Sequence, residues 1–457
     1  MTSRIVAPTG SDHAVLAQIL LDFQQSLAIM VDRQQRLFLF KRNRQHFTPA
    51  IGDPKRRGLR RRPRRSQRVP LARDPGHRAL MTAVQQSPGT AGMPGTLQLA
   101  MVAAEASGDL LASAMLQGLN AGPRPIAACG IGGPAMRAQG FEAWADISEL
   151  SVRGYVEVLG SLPRLLALRR ASARQIVARQ PVAFVGIDAP DFNLGLERRL
   201  REQGIRTLHF IGPSIWAWRP ERIVTIRRAV DHMLLVFPFE KPIYDRAGIP
   251  ATYVGHPLAD VLAPTRDTAA ARRALELSPD RPVIALLPGS RPDEVRYMGK
   301  AFLQTAAWIH SQRADCQFVL PAASPSLFET LREQARALGL NGALPLTIVS
   351  GQSHRAMTAA DGVLVASGTA SLEAALIGRP MVISYKMAGI SYRLMRNRGL
   401  LPWIGLPNIL CNESLVPEFI QHAATPEAMG RALLSQLDDE RLRQSLWQRF
   451  SELHETL

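Results

Sequence analysis

Two stretches in the second half of the chain place small residues, hydroxyls and one charge where a phosphate could be held. Ser367-Gly368-Thr369-Ala370-Ser371-Leu372-Glu373 follows the apolar run Val363–Val365 and precedes the apolar Ala374–Ile377. A small-residue loop that feeds a helix leaves backbone N–H groups aimed outward, and the helix dipole adds positive charge there. Ser367, Gly368 and Thr369 are therefore candidate phosphate contacts. Thr369 or Ser371 is expected to cap the helix, and Gly378 and Pro380 to end it. Glu373, in the first turn, could accept hydrogen bonds from ribose hydroxyls, or simply complement the dipole. The second stretch is Leu287-Pro288-Gly289-Ser290-Arg291. Gly289 permits close backbone approach, Ser290 adds a hydroxyl, and Arg291 can fork onto phosphate oxygens. Each stretch alone is also an ordinary strand–turn–helix unit. Together they favour a nucleoside diphosphate. Neither is a Walker A loop or a GxGxxG, which disfavours ATP and NAD.

The elements that must position these loops alternate regularly. Thr96–Ala103, Ile126–Ile131, Val182–Ile187, Thr207–Ile211 and Met233–Phe237 read as strands separated by helical patterns. Val283–Leu287, Gln317–Leu320, Leu346–Val349, Val363–Val365 and Met381–Ser384 repeat the plan, with a helix from about Glu294 to His310. Such alternation is the signature of parallel doubly wound sheets. The fold class is thus α/β with two Rossmann-like halves and ligands expected in a cleft between them. The expected domains are a first Rossmann-like half over 93–262 and a nucleotide half over 263–457, with Ala263-Pro264-Thr265 as linker.

Residues 1–92 stand apart. They hold 17 Lys and Arg against 5 Asp and Glu, and the whole chain of 457 residues carries a net charge of +17. Lys55–Arg68, KRRGLRRRPRRSQR, cannot build a core and reads as a disordered basic extension. Its run contains no aromatic residue that would favour nucleic acid, and Met93 is a plausible start for the compact body. Cys129, Cys316 and Cys411 show neither zinc spacing nor a disulfide framework, which fits a reducing compartment. No run reaches the ~18 apolar residues of a membrane span.

Eight motifs, in order, give the chain a family likeness. They are EASGD (Glu105–Asp109), GIDAPDFN (Gly186–Asn193), PSIWAWR (Pro213–Arg219), PFEK (Pro238–Lys241), GHPLAD (Gly255–Asp260), LLPGSR (Leu286–Arg291), ASGTASLE (Ala366–Glu373) and LPN (Leu406–Asn408). From about Leu97 onward the chain resembles the lipid-A-disaccharide synthases, a family of GT-B glycosyltransferases. The resemblance implies transfer from UDP-2,3-diacylglucosamine to 2,3-diacylglucosamine 1-phosphate, giving the β-1,6-linked disaccharide 1-phosphate and UDP. It implies UDP in the second half, with Asn408 among its contacts, and the acceptor in the first. It also implies a cytoplasmic protein on the cytoplasmic face of a Gram-negative inner membrane, with a homodimer compatible and no cofactor. A soluble UDP-sugar epimerase of the same architecture is the competing reading. A nucleic-acid-binding protein is disfavoured by the near-neutral body. Two departures stand out: Ala104 occupies a usual Gly position, and relatives continue beyond Leu457, where a helix could support domain closure.

The reaction needs one carboxylate as base for the acceptor hydroxyl, plus donors and positive charge for the leaving diphosphate, which a helix N-terminus and an arginine supply without metal. Asp188 is the expected base and matches the family's proposed one. Asp191 competes, and capping is the plain alternative for Asp188. Glu105, Ser107 and Asp109 could position the acceptor, with helix capping as their alternative role, notably for Ser107. Trp216 and Trp218 could stack on sugar, line an acyl groove, or pack in the core.

Gly154–Arg179 offers a membrane contact. Val156, Val158, Leu159, Leu162, Leu165 and Leu166 crowd around Gly160 and Pro163, followed by Arg164, Arg169, Arg170, Arg174 and Arg179. Apolar side chains beside arginines suit an anionic bilayer surface. Gly160 and Pro163 are expected to interrupt any single core helix here, leaving an exposed patch. A helix packed on the sheet is the alternative.

Overall fold

A computed structural model describes residues 96–150, 155–389, 392–393 and 400–457, with the backbone alone for Ala106 and 155–161. The basic extension lies outside these residues. The chain divides into two compact units. One gathers the first strands with Glu157–Ile211 and Ile226–Leu234; the other gathers Gly212–Thr225 and Leu235–Leu457.

The first sheet has the strand order β3-β2-β1-β4-β5-β6-β7. Its strands are β1 (Leu97–Ala103), β2 (Ile126–Ile131), β3 (Glu142–Ala145), β4 (Ala183–Ile187), β5 (Thr207–Phe210), β6 (His232–Leu235) and β7 (Ala251–Tyr253). The second has the order β10-β9-β8-β11-β12-β13. Its strands are β8 (Val283–Leu287), β9 (Gln317–Ala322), β10 (Leu346–Ser350), β11 (Gly362–Ala366), β12 (Met381–Tyr385) and β13 (Glu418–Ile420). The central pairs β1–β2, β1–β4, β8–β9 and β8–β11 are all parallel. β4, β8 and β11 are buried along their whole length, as a parallel strand covered by helices on both faces must be. The two Rossmann-like sheets expected from the alternation are therefore present.

In each sheet the order reverses once, between β1 and β4 and between β8 and β11. The connections that leave those neighbouring strands run to opposite faces of the sheet, so a crevice opens at their carboxyl ends, where ligands of such sheets bind. EASGD follows β1 and Asp188 follows β4. Gly289 follows β8 and Gly368 follows β11. The sequence thus puts its chemistry-bearing loops at the two switch points.

The first core packs Val102, Ile131, Phe184, Leu196 and Leu200 with Ala173 and Ile176. Those last two come from a single helix, Tyr155–Arg179, which runs through Pro163. The expected interruption does not occur. A proline deletes one backbone hydrogen bond, and the remaining turns, anchored at Ala173 and Ile176, hold the axis.

Candidate functional site

At the first switch point the chain leaves β4 in an unusual conformation. Asp188 and Ala189 both have positive φ, 50° and 45°, before the helix Pro190–Glu202 begins. Left-handed backbone at a residue other than glycine costs roughly 1–3 kcal/mol and persists only where the surroundings impose it. Asn193 imposes it here. Its side-chain amide donates to the carbonyls of Asp188 (2.9 Å), Val102 (3.2 Å) and Ile187 (3.3 Å). The Asp188 N–H donates to Phe210 O at 2.9 Å. Asp188 is therefore fixed, part-exposed, at the carboxyl end of a central strand. Asp191 sits in the first turn of the helix, and its carbonyl accepts from Arg169 at 3.1 Å.

EASGD is placed differently from the expectation. Glu105 is the exposed N-cap of the helix Ala106–Asn120, and Ser107 lies inside the helix rather than capping it. Asp109 is buried, and its carboxylate accepts from the N–H groups of Gly133 (2.8 Å), Ala135 (2.9 Å) and Met136 (3.1 Å). It caps the short helix Pro134–Arg137, so it shapes the loop instead of facing a substrate. Glu105 and Ser107 remain the exposed polar groups of that motif.

At the second switch point, Gly368 (φ 147°) is the N-cap of the helix Thr369–Leu376, which has no side-chain cap. The caps expected from Thr369 and Ser371 are absent. Thr369 is the first helical residue, and Ser371, buried, donates back to Gly368 O at 2.7 Å. Ser367 Oγ donates to Ile404 O at 2.7 Å. A helix start with no side-chain acceptor leaves its first amides to a ligand or water. Across from it, Gly289 (φ 116°) is forced by its neighbour: a Cβ there would lie 2.5 Å from Glu294 Oε2. That carboxylate also accepts from the N–H groups of Ser290 (3.2 Å) and Arg291 (3.3 Å). The Arg291 side chain is 65% exposed, with Nη1 3.7 Å from Glu294 Oε1.

Glu373 is mostly buried and lies 3.4 Å from His354 Nε2, a residue with no sequence motif. The carboxylate beside it raises the His354 pKa. Asn408 is wholly buried, and both ends of its amide are taken. Nδ2 donates to Val416 O (2.9 Å) and Glu418 Oε1 (2.7 Å), and Oδ1 accepts from Val416 N–H (2.9 Å). Glu418 in turn accepts from Ile404 N–H (2.8 Å) and Gly405 N–H (2.9 Å). Asn408 therefore orders the loop that Ser367 also holds, with both ends of its buried amide engaged inside the protein.

Trp216 packs edge-on against Phe237 and Phe239, the core reading of that residue, whereas Trp218 is exposed beneath the Arg219 guanidinium at 4.3 Å. Beside Trp216, Glu240 of the PFEK motif is wholly buried, and burial pushes its pKa up to about 8. Among the residues expected to contact a membrane, Val156, Val158 and Leu159 lie outside the described side chains. Leu162 is exposed, and Leu165 and Leu166 are half-buried. Three of the neighbouring arginines turn to the protein: Arg164 to Glu149, Arg179 to Glu142, and Arg169 over the Phe192 ring.

The comparison with known proteins decides between the competing readings. The family described as lipid-A-disaccharide synthetase matches residues 99–456. This chain belongs to that family. It is 51% identical over 365 residues to the lipid-A-disaccharide synthase of Paraburkholderia phytofirmans, covering 80% of this chain and 93% of the relative. It is 53% identical over 363 residues to that of Cupriavidus pinatubonensis, covering 79% and 89%. Among solved structures, a putative UDP-N-acetylglucosamine 2-epimerase from Listeria monocytogenes aligns with a TM-score of 0.56 at 13% identity, over 78% of this chain and 91% of that one. The UDP-GlcNAc 2-epimerase from Neisseria meningitidis bound to UDP-GlcNAc aligns with a TM-score of 0.53 at 12% identity, over 78% and 94%. At such identity the likeness is one of fold, so the epimerase reading gains no chemistry from it.

Proposed function

We propose that this chain, by family a glycosyltransferase of lipid A biosynthesis, uses Asp188 as the base that joins 2,3-diacylglucosamine 1-phosphate to UDP-2,3-diacylglucosamine. The acceptor hydroxyl gives its proton to the Asp188 carboxylate as its oxygen attacks the anomeric carbon. The bond from that carbon to the UDP phosphate oxygen breaks, and its electron pair leaves with UDP. Attack opposite the leaving group inverts the anomeric centre, giving the β-1,6 linkage. UDP is held at the second switch point. The amides at Gly368–Ala370 and the guanidinium of Arg291 offer positive charge to the diphosphate, and Glu373 accepts from ribose. Glu105 and Ser107 take the acceptor side. The observation that carries the base assignment is the left-handed backbone at Asp188, held by Asn193 at the end of a central strand.

Incubation with radiolabelled UDP-2,3-diacylglucosamine should give disaccharide only when the acceptor lipid is added. Asp188→Asn keeps the side chain's shape and removes the proton acceptor. Turnover should then fall by about 10²–10⁴-fold while UDP affinity holds. Normal turnover in Asp188→Asn, with loss in Asp191→Asn, moves the role to the other carboxylate.

A further inference from the structure

Behind Asp188 lies a buried ion pair that none of the motifs assigns a role. Glu197, on the helix that Asp188 introduces, and His209, on β5, are both wholly shielded, with Oε1 2.7 Å from Nδ1. His209 stands beside Gly186 in the register of β4 and β5, two residues before Asp188. Glu197 follows Asn193 by one helical turn, so the residue that clamps the Asp188 carbonyl and the residue that holds His209 share a face. Gly186 is demanded by this arrangement: a Cβ there would lie 2.1 Å from Glu197 Oε1.

Both strands leave the pair in left-handed backbone, β4 at Asp188 and Ala189, and β5 at Ile211 with φ 72°. For a β-branched residue that conformation is an outlier, and such outliers gather where function requires them. A buried ion pair is also poor stabilisation, since apolar residues of similar volume usually serve as well. Burial pushes the Glu197 pKa up; at His209 burial pulls the other way, and the Glu197 carboxylate beside it outweighs that and holds the imidazole above its ordinary value. The Asp188 charge adds to the upward shift at His209, which puts the two within electrostatic reach.

We propose that Glu197 and His209 form a positioning pair for Asp188, locking the carboxyl edges of β4 and β5 so that the Asp188 carboxylate points at the acceptor hydroxyl. The proposal rests on Asp188 being the base. Its test is a double-mutant cycle on the full chain, read as kcat and KM for both substrates. Glu197→Gln keeps the pair's hydrogen bond and removes its charge; kcat should fall about 10-fold with KM for UDP-2,3-diacylglucosamine unchanged. Glu197→Leu/His209→Leu replaces the pair with apolar volume. It should melt near the parent and lose about 100-fold in kcat. In an Asp188→Asn background neither change should cost anything further, because the residue they aim is already inactive.

Parental kcat in both variants, with Asp188→Asn inactive, overturns the pair's role and leaves the base assignment standing. An equal further loss in the Asp188→Asn background overturns it too, since the pair then acts independently of Asp188. Parental turnover in Asp188→Asn itself removes the base assignment, and the positioning role falls with it.

Discussion

At the scale of single residues, the groups that could be found in the sequence were those close after a strand end. Asp188 directly follows β4, Arg291 closes the loop after β8, and Glu373 lies in the helix that opens after β11, past its first turn, so their place at a switch point could be read from the alternation alone. Glu197, His209 and Asn193 could not, because a Glu in a run of Arg and Leu on an amphipathic helix looks solvated. The one signal was Gly186, a glycine inside an otherwise bulky buried strand, which marks a close approach. Glu240 is similar, a charge in a motif whose burial only packing reveals. Its pKa of about 8 has a consequence for stability. The folded chain favours neutral Glu240, whereas the unfolded chain ionises it near 4.5. The folded state thus binds the extra proton, so its contribution is full below about pH 4.5 and is lost as pH rises through 8. Over that window the loss reaches up to about 5 kcal/mol. Glu240→Gln removes the titration. Denaturant unfolding at pH 5 and pH 8 should show a smaller drop in stability for this variant than for the parent. Parallel pH dependence in both proteins would mean that Glu240 is not the group responsible.

At the scale of elements, the long central strands and the helices between them followed from apolar runs and alternation. The strands that escaped were β3, β7 and β13, with three or four residues each, at or next to the sheet edges. An edge strand is half-exposed and too short to show a period. Capping was misread for a related reason. Thr369, Ser371 and Ser107 have the right types for caps, but glycine backbone freedom at Gly368 and the strand exit at Glu105 set the first helical residue. The loop 400–405 illustrates how an element is ordered from below: Glu418 on β13 accepts from Ile404, Gly405 and Asn408. Asn408→Ala strips the buried Val416 of the side-chain partner of its N–H and carbonyl, and leaves Glu418 Oε1 with Gly405 N–H alone, at a cost of about 2–4 kcal/mol. Chemical denaturation should register that loss. UDP affinity measured well below the melting temperature should change little by comparison. If affinity falls tenfold or more while stability is unchanged, Asn408 touches the nucleotide after all.

At the scale of the whole molecule, the question is how a chain without a spanning helix among its described residues meets lipid substrates. Apolar exposure and positive charge both bear on it. Leu162 is 46% exposed near the start of the helix Tyr155–Arg179, with Leu165 and Leu166 half-buried beside it. Arg170 and Arg174 are exposed on the same helix, whereas Arg164 and Arg179 are paired with Glu149 and Glu142. The cationic part of this surface is therefore weaker than its five arginines imply, and a bilayer contact here would draw more on the apolar part. Residues 1–92 hold 17 of the 55 Lys and Arg, a reservoir of charge of about 1 kcal/mol per residue near an anionic surface at low salt. The two sources respond differently to salt, because screening acts on charge and leaves apolar insertion in place. The full chain should pellet with phosphatidylglycerol-containing vesicles and be released in part at 0.5 M salt. A chain begun at Met93 should still pellet, with less release on adding salt. Leu162→Ser/Leu165→Ser in that shorter chain should abolish pelleting while circular dichroism stays unchanged. Pelleting that disappears once residues 1–92 are removed would assign the contact to the basic extension, and pelleting that survives the double substitution would move it to another face of the body.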